Sequence, residues 1–142
     1  MNQATPDKPE FCWPVRIYWE DTDAGGIVFY ANYLKFFERA RTEWLRSLGL
    51  EQHALRQRSG GMFVVSEARL RYHRVARLDD ELRVTVRPQQ PGRASLTMEQ
   101  QAWLKAGSEN TLLCEASIRI GWVDALNYKP TRMPSDLLEL LK

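Results

Sequence analysis

YWEDTDAGGIVFYANYLKFFERARTEWLRSLG, Tyr18 to Gly49, is the stretch whose reading decides the fold. It ends a strand, turns through an acidic loop with two glycines and enters a long amphipathic helix. Asp21 to Gly26 cannot continue a strand, because two aspartates and the Gly25–Gly26 pair mark a tight loop. Ile27 to Ala31 form a short apolar bridge, and Asn32 is placed to cap a helix. Tyr33, Phe36, Phe37, Ala40, Trp44 and Leu48 then recur at intervals of three and four, an apolar face of helical period. Arg39 and Glu43 are spaced as an i,i+4 pair, and Gly49 is a natural stop. The spacing predicts a helix over 33–48.

Working outward, residues 1–11 are polar and proline-bearing and read as a loosely tethered arm. Pro14 to Glu20 alternate, with Val15, Ile17 and Trp19 on one face, which predicts a half-buried strand. A short helix is expected from Glu51 to Arg58, ended by Ser59-Gly60-Gly61. The period then changes to two. Val64, Ser66, Ala68, Leu70 and Tyr72 share one face of the next strand, with Glu67, Arg69, Arg71 and His73 on the other. Leu82, Val84 and Val86 form a second run, and Ala94, Leu96, Met98, Gln100 and Ala102 a third. Leu112, Cys114, Ala116, Ile118, Ile120 and Trp122 form a fourth. The connections are short and turn-rich, as between antiparallel neighbours. Pro134 and Ser135 open a final short helix carrying Leu137, Leu138, Leu140 and Leu141.

The order β, long α, four β predicts one α+β domain over the 142 residues. In it, a curved antiparallel sheet of about five strands wraps one central helix. A single helix cannot cover such a sheet completely, so an exposed edge or face predicts self-association. Net charge is only +2, with 20 basic and 18 acidic residues, which argues against a nucleic-acid partner. No apolar run approaches the roughly 20 residues that cross a bilayer, and the N-terminus has no apolar signal region. Cys12 and Cys114 form no CxxC motif. With two histidines in the chain, a Cys/His zinc site is not expected. The expectation is a cytoplasmic protein with two reduced thiols.

Four readings compete for the carboxylates Glu20, Asp21 and Asp23. The first is a solvated turn that favours the helix dipole. A calcium loop is the second, but Asn32 stands where its terminal Glu belongs and a strand precedes it. The third, a phosphate cradle, lacks a following Lys-Ser/Thr and would repel its ligand. In the fourth, one carboxylate works as nucleophile or base beside the unpaired N–H groups of a helix start, near Tyr30 to Tyr33. Gly25 and Gly26 would let the backbone pass close to a ligand. Elsewhere there is no GxSxG elbow. His53 reads as a helix-surface residue, and His73 as structural or near a ligand. The basic run Arg69 to Arg77 is either a solvated strand or a landing site for an anionic carrier.

The run Glu20-Asp21-Thr22-Asp23-Ala24-Gly25-Gly26-Ile27-Val28 is followed by Tyr33 and by Phe37-Glu38-Arg39-Ala40-Arg41. Together they resemble the hot-dog-fold thioesterases, closest to the YbgC type associated with the Tol–Pal cluster, within the 4-hydroxybenzoyl-CoA thioesterase superfamily. Tyr72-His73-Arg74 and Ala76-Arg77-Leu78-Asp79-Asp80 extend the similarity over most of the chain. The resemblance implies an acyl-CoA thioesterase that works as a homodimer or homotetramer with active sites between protomers. Asp23 would be the catalytic carboxylate, with Asp21 the lesser candidate. The N–H near Tyr30 would polarise the thioester carbonyl. Gly25, Gly26, Ile27, Val28, Asn32 and Tyr33 would line the substrate, and Arg71 and Arg74 would meet the CoA phosphates. No metal or redox cofactor is implied; coenzyme A enters as part of the substrate, and acyl carrier protein is a further possible partner. An alternative is a non-catalytic acyl-carrier or envelope-complex adaptor that kept the fold. Two positions depart from the YbgC pattern. Tyr30 stands where many members have His, and a tyrosine, with an ordinary pKa of about 10, is a poor base at neutral pH. Val75 stands where proline is frequent.

Overall fold

Helix α1, Asn32–Ser47, is the element on which the rest packs. The computed structural model describes residues 10–142. Tyr33, Phe36, Phe37, Ala40, Trp44 and Leu45 are its buried face, each large side chain contributing on the order of 1.5–3 kcal/mol by leaving water. Gly49, at φ +82, ends the helix as expected; its N–H donates to the Arg46 carbonyl. Glu43 pairs with Arg46, at 2.7 Å, rather than with Arg39. The Arg39 guanidinium lies instead over the Phe36 ring.

Against this helix lies a five-stranded antiparallel sheet of β1 (Phe11–Arg16), β2 (Gly61–Tyr72), β3 (Glu81–Pro88), β4 (Ser95–Ala106) and β5 (Glu109–Asp124), in the order β1-β3-β4-β5-β2. Helix α2, Gln52–Ser59, sits beside β2, and α3, Ser135–Leu141, closes the chain. Leu82, Val84, Leu96, Met98, Ala102, Cys114, Ile118 and Trp122 come from alternate positions and form the sheet's half of the core. This is the α+β hot-dog architecture, one sheet on one central helix. No helix among the described residues is long and apolar enough to cross a membrane.

The expectations for three strands, β1, β2 and β5, need correction. Residues 1–9 of the expected arm lie outside the described residues, but Phe11 is already strand: Phe11 to Arg16 pair with Val86 to Glu81. Pro14 is tolerated because β1 is an edge. At its other end the strand stops at Arg16, and Trp19–Asp21 form a 3-10 turn. The alternation that should have buried Trp19 is broken there, leaving Trp19 79% exposed. The cause is Asp21, whose carboxylate accepts the Tyr18 N–H at 2.8 Å while its own N–H donates to the Tyr18 carbonyl.

In β2 a bulge between Val65 and Glu67 leaves Ser66 without a partner in the ladder. Phe63 and Val65 stand opposite Trp122 and Ile120, and Ala68, Leu70 and Tyr72 opposite Ile118, Ala116 and Cys114. Side chains directly opposite share a face, so Phe63 and Val65, not Val64 and Ser66, continue the Leu70–Tyr72 face. A second bulge, opposite Ala102/Trp103, buries Leu113 next to Cys114. The Leu113 carbonyl accepts the N–H groups of His73 and Arg74, which turns the chain out of β2.

Candidate active site

Residues 21–28 fold into a small hairpin before α1. The Asp23 N–H donates to the Ile27 carbonyl at 2.8 Å, and the Gly26 N–H to the Asp23 carbonyl at 3.0 Å. Thr22 bridges Val28, and Ile27 bridges Arg77 in the β2–β3 connection. Gly26 has φ +81, a conformation that side chains disfavour. At Gly25 an added Cβ would come within 3.2 Å of Asp23 Oδ1. The missing side chain lets the Gly25 N–H donate to that oxygen at 2.8 Å. The Asp23 carboxylate is therefore exposed to solvent yet fixed in direction by its own loop.

Asp21, two residues earlier, has the opposite environment. It is buried and its carboxylate is occupied by the Tyr18 N–H. Its carbonyl accepts the N–H of Phe29 at 2.9 Å and the side-chain amide of Asn32 at 2.8 Å. Asn32 is thus the first residue of α1, tied back to the loop, and not the cap. The cap position is Ala31, which offers no side-chain hydrogen bond. Among the described residues, the N–H groups of Tyr30 and Ala31 have no hydrogen-bond acceptor. Glu20, Asp21 and Asp23 do not gather into a set that could hold a metal.

Aromatic rings enclose the helix start. Tyr30 meets Phe29 and Tyr72, and Tyr33 meets Phe36 and Tyr72, at centroid distances of 4.9 to 6.1 Å. The Tyr72 hydroxyl donates to the Tyr30 carbonyl at 2.8 Å. Tyr33 is buried in the core, and burial pushes its phenol well above the usual range; burial also raises Tyr72. Both are neutral hydrogen-bond donors at physiological pH. Val28 is buried and Ile27 half-buried behind the loop.

The two arginines are not brought to this hairpin. Arg71 is exposed on the β2 face opposite Tyr72, and Arg74 donates to the His73 carbonyl. Among the described residues neither guanidinium hydrogen-bonds or ion-pairs with residues 21–28. His73 Nε2 lies 2.8 Å from a Glu115 carboxylate oxygen, a cross-strand contact, and His53 is exposed on α2. Sequence reasoning missed Tyr72 as the clamp on the helix start and Asp21 as the knot between loop and helix. Tyr72 sits among residues that carry the family resemblance, but its reach to Tyr30, 42 positions away, leaves no periodic trace.

With this geometry in place, comparison with known proteins is informative. The family model of the thioesterase-like superfamily matches residues 17–141. The acyl-CoA thioester hydrolase YbgC of Escherichia coli is 42% identical over 132 residues, covering 93% of this chain and 96% of that protein. The acyl-CoA thioesterase YbgC of Haemophilus influenzae is 41% identical over 128 residues, covering 89% and 90%. Among solved structures, an Asp-to-Asn variant of a 4-hydroxybenzoyl-CoA thioesterase, complexed with 4-hydroxybenzoyl-CoA, superposes with a TM-score of 0.86. It is 20% identical, with 94% of this chain and 99% of that one matched. The chain belongs to the thioesterase-like superfamily and, within it, to the YbgC-type acyl-CoA thioesterases, thioester hydrolases of the hot-dog fold.

Proposed function

We infer that this chain hydrolyses acyl-CoA thioesters at the junction of the 21–28 hairpin and α1, releasing free CoA and a carboxylic acid. The observation that carries the reading is the paired environment of that junction. An exposed carboxylate, Asp23, is oriented by the Gly25 N–H, and two helix-start N–H groups, on Tyr30 and Ala31, are left without acceptors. Asp23 attacks the thioester carbonyl or draws a proton from the attacking water. The N–H groups stabilise the oxyanion as the carbonyl becomes tetrahedral. The CoA thiolate then leaves: in the base route this collapse gives the acid directly, and in the nucleophile route it leaves an acyl-Asp23 anhydride that one water opens to the acid and free Asp23. Tyr30 has the role of a backbone donor and a wall of the acyl site, not of a base.

Gly25, Gly26, Ile27, Val28 and Asn32 shape the loop beside the acyl group, and Tyr33 holds that wall from inside the core. Arg71 and Arg74, exposed at the end of β2, suit the CoA phosphates of a substrate bound across two copies. The edge strand β2 and the exposed rings of Tyr30 and Tyr72 support a homodimer or homotetramer whose sites lie between chains. In this reading the reaction takes place in the cytoplasm, needs no metal or redox cofactor, and accepts CoA or acyl-carrier thioesters.

Asp23→Asn tests the assignment. The variant should fold normally and lose at least about 100-fold in kcat. Near-normal turnover would reject it. Single turnover in ¹⁸O water tests the nucleophile: label in the Asp23 carboxylate marks an acyl-Asp23 anhydride opened at the enzyme's own carbonyl.

A further inference from the structure

A cavity of about 220 Å³ lies away from the hairpin, between the middle of α1 and the start of β2. Its apolar wall includes Trp44, Phe63, Met98 and Ile120, and its polar wall is Glu38, Arg41, Thr42 and Gln52. The unusual member is Arg41. It is largely withdrawn from solvent, and among the described residues no carboxylate oxygen lies within 4.0 Å of it. Burial lowers its pKa, a shift that the Glu38 carboxylate partly opposes. Buried guanidinium groups are ordinarily paired with an anion.

The guanidinium is instead held by a neutral side chain. Arg41 Nη1 donates to Gln100 Oε1 at 3.0 Å. Gln100 is itself fully buried and anchored by its amide to the Phe37 and Thr85 carbonyls. Glu38, one helical turn earlier, acts on that charge only from a distance and forms no ion pair with it; its carboxylate accepts the Thr42 hydroxyl, which in turn accepts the Gln52 amide. Two separate hydrogen-bond networks thus hold one cation and one anion apart. Arg41 is left with N–H donors to spare on the polar wall of a space whose other wall is apolar.

We propose that this cavity is a binding site for a small organic carboxylate, with its hydrocarbon body against Trp44, Phe63, Met98 and Ile120 and its carboxylate on the Arg41 fork. The volume fits: a dry cavity of roughly 150 Å³ holds benzene. The carboxylate comes from one of two sources, the far end of an acyl chain that carries its own acid group or a free organic acid from solution. Only the first source rests on the thioesterase reading.

The test is calorimetric titration of the full chain with benzoate and its neutral isostere benzamide. Benzoate should bind at least about tenfold more tightly. Arg41→Met should remove that preference, Glu38→Gln should strengthen benzoate binding by relieving like-charge repulsion, and Val65→Trp should fill the cavity and abolish both. Val65 is 52% exposed at the cavity's edge, so that variant spares the core even if Arg41→Met does not fold. Hydrolysis of adipoyl-CoA in preference to hexanoyl-CoA, lost in Arg41→Met, marks the acyl-chain source. Selective benzoate binding with equal rates for the two thioesters marks the free acid. Equal binding of benzoate and benzamide, or no binding, overturns the proposal, as would benzoate binding that survives Val65→Trp or weakens in Glu38→Gln.

Discussion

The two longer helices of this chain begin in opposite ways. At α2, Glu51 occupies the cap position and its carboxylate accepts the N–H groups of His53 and Ala54, both at 3.0 Å. At α1 the cap residue is Ala31, which has nothing to offer. The residue best suited to cap, Asn32, is spent on the Asp21 carbonyl. An absent cap typically costs a helix on the order of 0.5–2 kcal/mol. That the more deeply buried helix forgoes it, beside an exposed carboxylate fixed by the preceding loop, fits donors kept free for a substrate oxygen. On the proposed mechanism, one helix start serves stability and the other chemistry.

That contrast can be broken at several points. Among side-chain substitutions the largest effect after Asp23→Asn belongs to Asp21→Ala, which removes the buried acceptor of the Tyr18 N–H. It should cost roughly 1–3 kcal/mol in urea unfolding and lower kcat by about tenfold, because the 18–21 turn that positions the Asp21 carbonyl under the helix start loosens. A kcat loss equal to that of Asp23→Asn would instead make Asp21 the reacting group. Tyr72→Phe is milder. Its hydroxyl donates to the Tyr30 carbonyl, which shares a peptide unit with the Ala31 N–H, and a bond to one end of a peptide strengthens the donor at the other. A fall in kcat of about three- to tenfold, with KM nearly unchanged, is expected from steady-state kinetics.

Glu51→Ala should leave kcat alone and lower Tm at neutral pH. The bonds from Ala54 and His53 hold the Glu51 carboxylate below its ordinary value of 4.5. Its contribution is therefore present above that value and fades as pH falls through the lower folded-state value. The Tm difference between wild type and variant should close in acid, and a difference that persisted there would mean that Glu51 acts by something other than its charge.

Much of this was legible in the chain. The spacing from Tyr33 to Trp44 is the buried face of α1, and the alternations around Leu82, Leu96 and Ile118 are the sheet. Local turn chemistry located the hairpin, because Gly25 and Gly26 are needed where they stand. What escaped depends on contacts between distant residues or on single inserted ones. Alternation cannot reveal that Ser66 or Leu113 is an extra residue, since the pattern simply changes phase. Trp19 continues the period of β1, but the Asp21 carboxylate curls the backbone before it can be buried. Asn32 looks like a cap, but it is already the first residue of the helix, with its amide N–H donated to the Asp21 carbonyl. The Arg41–Gln100 contact joins residues that read as helix surface and strand core, and only packing brings them together.

The bare start of α1 is the centre of the account, and a backbone ester tests it most directly. Incorporating the α-hydroxy analogue of tyrosine at position 30 replaces one N–H by oxygen and leaves every side chain in place. A fall in kcat of about 10²- to 10³-fold, as for the loss of one oxyanion donor, with Tm nearly unchanged, is the predicted result. An ester variant that turns over acyl-CoA at the wild-type rate would contradict it.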